Sequence, residues 1–385
     1  MRNLLRVVVS ALALIAPIDF AAAVERHPVV LGASQAEEAV AYQINPAHSG
    51  NITFAAGFAA PLKQIWAKNL GATLSYPVIA DGMVFVTASD NSVTALNVLT
   101  GAQVYKKSVG GATSTLGPAY DNGKIFVLGD GGLLSSYTST TGRPGWSALM
   151  PNQWSFSSAP SAMNGFVYTG GAGDGGTLYA VNETNGAMAW MQGVANGDDS
   201  SPAIGDGGVY VSYPCQYYKF DPVSGKLLWL YNNGCDGGGG NTPVYFAGRV
   251  YVQDWSSGNY TLDAKTGALK GSFAASNGYP PAFGVDSKGH KFSVSFNSGT
   301  LRAWNVSTQN IYWSFAGDGQ LSTAPIIVND MVIEGSASGE VYALGLAKGR
   351  RLWSANTGSA VTHLSAGLGT LIVISGQTVT AYVPG

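Results

Sequence analysis

The stretch Tyr217–Trp229, YYKFDPVSGKLLW, decides the fold. It has aromatics at both ends, alternation between apolar and polar positions, and a Ser-Gly pair at its centre. Alternation followed by a glycine turn and a second short run is the pattern of a β-hairpin, because glycine takes φ > 0 at no steric cost. The same thirteen-residue phrase recurs without gaps. It reads VTALNVLTGAQVY from Val93, LSSYTSTTGRPGW from Leu134 and LYAVNETNGAMAW from Leu178. It returns as NYTLDAKTGALKG from Asn259, LRAWNVSTQNIYW from Leu301 and VYALGLAKGRRLW from Val341. The copies end at 105, 146, 190, 229, 271, 313 and 353, a spacing of 39–44 residues. Self-similarity at that period marks a repeat architecture.

Upstream of each phrase stands a second motif. A proline opens it, then a short apolar stretch, a turn and another apolar strand, as in PVIADGMVFVT from Pro77 and PAIGDGGVYVS from Pro202. Two motifs make four strands, a to d, and four strands every ~40 residues predict a β-propeller blade. Seven phrases are complete. An eighth unit, His363–Val383, supplies three strands, and Leu62–Lys68 supplies the missing outer strand with Trp66 in the terminal aromatic position. Trp66 lies 39 residues before Tyr105, in register. The expectation is an all-β, eight-bladed propeller over 62–383, closed by pairing the N-terminal strand with the last blade. The terminal tryptophans Trp66, Trp146, Trp190, Trp229, Trp313 and Trp353 are expected to dock neighbouring blades, whereas Tyr105 and Gly271 break the pattern.

Composition agrees with a folded, turn-rich chain. The 385 residues include 52 Gly, and only 11% are charged, against about 25% in an average protein. Disorder is excluded by 9 Trp, 19 Tyr and 14 Phe together with a net charge of only −2. That charge also argues against nucleic acid, which requires a basic stripe. Arg2 and Arg6, the apolar run Val7–Pro17 and Ala21-Ala22-Ala23 read as a signal peptide over 1–23, followed by an extension over 24–61. No later run approaches a membrane span. An exported monomer, periplasmic or secreted, is expected.

The phrases resemble the pyrroloquinoline-quinone-type (PQQ-like) propeller repeat, Tyr-Ala-Leu-Asp-x-x-Thr-Gly-x-x-x-Trp. That repeat is shared by quinone-dependent dehydrogenases, by BamB-type outer-membrane assembly scaffolds and by many exported proteins. Many of the dehydrogenases resemble one another in an adjacent Cys-Cys pair over the quinone. Here the only cysteines, Cys215 and Cys235, are not adjacent, and no cofactor motif can be placed. BamB-type proteins resemble lipoproteins with a cysteine after the signal, which this chain does not have. The leading expectation is a non-catalytic binding or scaffold module with no cofactor and no catalytic residue. A PQQ- and calcium-dependent oxidoreductase is the alternative.

In a propeller the b–c and d–a loops share one face, here the top. Cys215 falls in a b–c loop and Cys235 in the following d–a loop, so an exported chain is expected to join them in a disulfide. The bond would pin the run CDGGGGN, Cys235–Asn241. The binding candidates on this face are Trp154, Asp198, Asp199, Tyr213, Asp236, Asp254 and Trp255, with Tyr279 and Asp318 beside them. Acids among aromatics suit a sugar or a cation, and a solvated rim is the plainer reading. The partner expected at this face is a protein or a small-molecule or glycan ligand. Of four histidines, His27 and His48 precede the first blade strand, His290 sits in a bottom turn and only His363 lies near the top. No Gly-x-Ser-x-Gly elbow is present. Sequons stand at Asn51, Asn182, Asn259 and Asn305.

Overall fold

The computed structural model describes residues 37–385, except 111–115, 198, 235–239, 254–257 and 277. The proposed signal peptide, Cys235, Asp198, Asp236, Asp254 and Trp255 therefore lie outside the described residues. Eight antiparallel sheets follow one another along the chain, each with strands in the order a-b-c-d. Blade 1 is Val78–Ala80, Met83–Ala88, Ser92–Asn97 and Gln103–Ser108. Blade 8 is Val361–Gly367, Thr370–Ser375 and Thr378–Pro384, and its outer strand is Leu62–Asn69 from the other end of the chain. That pairing aligns Trp66 with Ala381 and closes the ring. A closed ring leaves only short outer edges.

Burial follows position in the blade. Strand b of blade 1 is buried at all six positions, because neighbouring blades cover both of its faces. Its strand d alternates, with only Tyr105 buried, because one face meets water. The turn between c and d is built by the fifth residue of the phrase. Asn97 Oδ1 accepts from the Leu99 and Thr100 amides at 3.1 and 3.0 Å, and Asp221, Asp263 and Asn305 do the same in their blades. Side chains that bond the backbone two or three residues on favour turns over ladders.

The ninth position of the phrase explains the tryptophans. Gly101, Gly186, Gly225, Gly267 and Gly349 each have φ between 62° and 75°. A Cβ on any of them would lie 2.4–2.8 Å from the indole of the preceding blade, namely Trp66, Trp146, Trp190, Trp229 and Trp313 in turn. Glycine is thus required twice, for backbone and for clearance. Each of these indoles donates Nε1–H to a carbonyl in the same turn: Val98, Glu183, Pro222, Ala264 and Leu346, at 2.7–3.1 Å. Tyr105 covers Gly142 in the same manner, and Trp353 packs edge-on to Tyr382.

The extension before Leu62 has a role that its sequence does not announce. Residues 37–52 lie along the inner strands and bond to every blade. Leu368 of blade 8 donates to the Glu37 carbonyl, Ala39 pairs with Ile79 of blade 1, and Tyr120 of blade 2 donates to Val40. Ile204, Tyr245, Phe283 and Ile327 of blades 4 to 7 donate to the carbonyls of Pro46, Ala47, Ser49 and Gly50 at 2.7–2.9 Å. Blade 3 is reached by a side chain, with His48 Nε2 3.1 Å from Ser161 Oγ. Asn51–Ile52 then adds a parallel strand to Ile326–Val328 of blade 7. The segment leaves near its start, the Ala55 amide donating to Glu37 Oε1 at 2.6 Å. It forms a belt across the lower half of the central channel.

Candidate functional site

With the belt in place, the described part of the channel is a cup that opens at the top. Its cavity of 460 Å³ is lined by the residues that lead into the inner strands, among them Ser157, Ser158, Ser201, Asn241, Thr242 and His363. Tyr42, from the belt, and Tyr76 line it as well. A second hollow of 230 Å³ continues past Tyr279, Ser322, Thr323 and Gln43. The aromatic groups meet edge to face, Tyr42 with Tyr76 at 5.1 Å and Tyr76 with His363 at 6.2 Å. Buried rings at these angles gain from the ring quadrupole and are held rigidly. The belt amide of Ile44 donates to the Tyr76 hydroxyl at 2.9 Å, which ties the cup to its floor.

The described residues of the cup carry little charge. Burial lowers His363 to about 4, so the imidazole is neutral at pH 7. Burial pushes Tyr42 up to about 12, with a smaller push from Tyr279. Asp199 is the one acid among the described residues of the wall, and no lysine or arginine is among them. Several buried polar atoms have no partner, including Ser158 Oγ, Asn241 Nδ2 and Gln43 Oε1. The wall can hydrogen-bond a neutral ligand. Among its described residues, the His363 imidazole is neutral at pH 7 and no lysine or arginine supplies a cation.

Two buried ionisable groups support the wall. His48 Nδ1 lies 3.3 Å from the Pro243 carbonyl. A carbonyl can only accept, so Nδ1 carries the proton and Nε2 accepts from the Ser161 hydroxyl. Burial lowers this histidine to about 4, against an opposing effect of the Pro243 contact. Glu334, in strand b of blade 7, is fully buried. Its Oε1 accepts from the Thr323 amide and hydroxyl at 3.2 and 2.9 Å, while Oε2 has no partner. Burial raises its carboxyl to about 8, with the Thr323 bonds pulling the other way. The strand registers show how unusual this is. The equivalent residues are Val86, Val127, Val211, Val252 and Val373 in five blades, and Thr169 and Ser295 in two.

The residues singled out from sequence are scattered. Trp154 is exposed on the top face, and Asp199 is exposed where it lines the cup. Tyr213 is fully buried, edge-on to Tyr218, and so belongs to the blade interior. Tyr279 lines the second hollow, and Asp318 accepts from the Ser336 hydroxyl at 2.7 Å. Cys215 is fully buried at the b–c turn with φ 64°. His290 lies at the bottom, paired with Asp286 at 2.9 Å. The Asn51 amide of the first sequon donates to the Phe283 carbonyl and is engaged in the belt. Sequence reasoning missed the belt, Tyr42 and Glu334. Glu334 had a visible signal, an acid at a repeat position filled by valine in five other blades and by threonine or serine in two.

Fold and repeat together define a propeller built from PQQ-type blades. A family model described as outer membrane protein assembly factor BamB matches residues 47–116, 100–196, 174–282 and 272–383. The chain belongs to this family. It is similar to the outer membrane protein assembly factor BamB of Yersinia pestis, 27% identical over 319 residues, 73% of this chain and 77% of that protein. It is also similar to the tetrathionate hydrolase of Acidithiobacillus ferrooxidans, 27% identical over 206 residues, 48% of this chain and 41% of that protein. Among solved structures, the quinohemoprotein alcohol dehydrogenase of Comamonas testosteroni superposes with TM-score 0.74 at 17% identity, over 92% of this chain and 81% of that one. BamB of Moraxella catarrhalis superposes with TM-score 0.65 at 18% identity, over 84% and 98%. At these identities the structures speak for the fold alone.

Proposed function

We propose that the protein is an exported, non-catalytic scaffold of the cell envelope that takes part in outer-membrane protein assembly and docks a protein partner on its top face. The observation that carries this reading is the family match, which runs through all eight blades. The wall of the cup supports it. Pyrroloquinoline quinone is a tricarboxylate, and calcium needs several oxygen donors. The described wall has no lysine or arginine, and no group of three His, Cys, Asp or Glu suited to a metal occurs among the described residues. The described residues therefore do not fit a quinone–calcium pair. No helix among the described residues is long and apolar enough to cross a membrane. The reading includes cleavage of residues 1–23 and a Cys215–Cys235 bond.

Deleting the gene and measuring the abundance of outer-membrane proteins tests this function. A fall that is restored by the wild-type gene is expected. Unchanged abundance would sink the assembly role, and dye-linked alcohol oxidation by the purified protein with added quinone and calcium would reinstate the enzyme.

A further inference from the structure

One blade junction lacks the docking pair on both sides. The last phrase position of blade 5 is Gly271 where six other junctions have tryptophan, and the ninth position of blade 6 is Gln309 where five of those junctions have glycine. The Val306 carbonyl, which an indole would bind at this register, accepts instead from Gln309 Nε2 at 3.0 Å. Nothing lies within 4 Å of a Cβ built on Gly271. The space left is a cleft of 360 Å³ on the bottom face.

Its lining differs from that of the cup. Arg249, Lys270 and Lys291 all border it, and no aspartate or glutamate does. Lys270 also reaches Asp263 at 3.5 Å, outside the lining. Tyr251 borders it too, with 2% of its surface exposed and its hydroxyl without a partner. The ring is fixed by Phe283 at 4.1 Å and Phe273 at 5.5 Å. A buried hydroxyl without a bond costs free energy, so a cleft that keeps one has use for an acceptor.

We propose that this cleft binds a phosphate group. The guanidinium offers a planar pair of donors, the ammoniums offer point charges and the phenol a further donor, and a phosphate ester has the several charged acceptor oxygens to meet them. The cavity exceeds one phosphate in size and leaves space for the alcohol that carries it. Membrane lipid headgroups and soluble phosphate esters share this chemistry. The site is separate from the cup and stands or falls independently of the scaffold reading.

The test uses the purified protein with inorganic phosphate, titrated calorimetrically at constant ionic strength, and with flotation on phosphatidylcholine vesicles with or without phosphatidylglycerol. Saturable binding of phosphate is expected, or capture only by the vesicles that contain phosphatidylglycerol. The first result assigns a soluble ester and the second a lipid headgroup. Arg249→Gln with Lys291→Gln should weaken either by about tenfold or more. Tyr251→Phe, which removes one oxygen and leaves the packing in place, should weaken it severalfold with a melting temperature equal to or above that of the wild type. Absence of binding to both probes would overturn the proposal, as would equal binding by the wild type and the Arg249→Gln, Lys291→Gln variant.

Discussion

Replacing Glu334 with glutamine should stabilise the protein, and by an amount that depends on pH. The carboxyl stands near 4.5 in an unfolded chain and is raised to about 8 in the fold. A raised acid is favoured in its protonated form by the folded state. Its contribution is fully present below pH 4.5 and is lost as pH rises through 8. Each tenfold change in proton affinity corresponds to about 1.4 kcal/mol, so linkage gives a loss of roughly 3 kcal/mol between pH 5 and pH 8. Glutamine keeps an acceptor for Thr323 and carries no charge at either pH. Urea unfolding of wild type and Glu334→Gln at pH 5 and pH 8 measures the difference directly. The variant should gain about 3 kcal/mol more at pH 8 than at pH 5. Valine, the residue of five other blades, should give the same pH trend. Equal effects at the two pH values would mean that the carboxylate is solvated, and the burial argument would fail.

His48 supplies the opposite limb. Its folded value is lowered to about 4, so its contribution is present above pH 6.5 and is lost as pH falls through 4. His48→Ala should cost about 2–4 kcal/mol at pH 7, because Ser161 and the Pro243 carbonyl lose their partner, and should flatten the acid limb of a melting-temperature profile. A variant as acid-labile as wild type would contradict the assignment. At the turn, Gly225→Ala should cost about 2–3 kcal/mol, because its Cβ would meet the Trp190 ring at 2.6 Å in a backbone with φ 69°. Gly207→Ala, at φ 64° with open space around it, should cost about 1 kcal/mol. Equal denaturation midpoints for the two would refute the ring contact.

Legibility in the sequence followed how locally each feature is written. Turns, strands and blade number are encoded within thirteen contiguous residues and their spacing, and ring closure follows from Trp66 in register with Tyr105. The belt makes most of its bonds through main-chain carbonyls of Val40, Pro46, Ala47, Ser49 and Gly50, so no side-chain pattern records it. The cup floor was hidden for the same reason, because Tyr42 reaches it only through the belt. The irregularity at Gly271 was plain, but its consequence needed Gln309 brought opposite it in space. Tyr213 was read as a top-face residue yet is buried in the blade, since a residue at the end of strand b can face either the loop or the neighbouring sheet.

The belt also fixes the number of blades. Propellers grow and shrink by duplication or loss of a repeat, and a ring held only by neighbour contacts tolerates such steps. Here one short segment, synthesised before any blade, carries a contact for each of the eight inner strands. A ninth blade would find no carbonyl waiting, and closure at seven blades would leave one buried without a donor. The segment acts as a gauge, and its circuit is complete only once the last blade, made after the other seven, reaches the first residues of the belt.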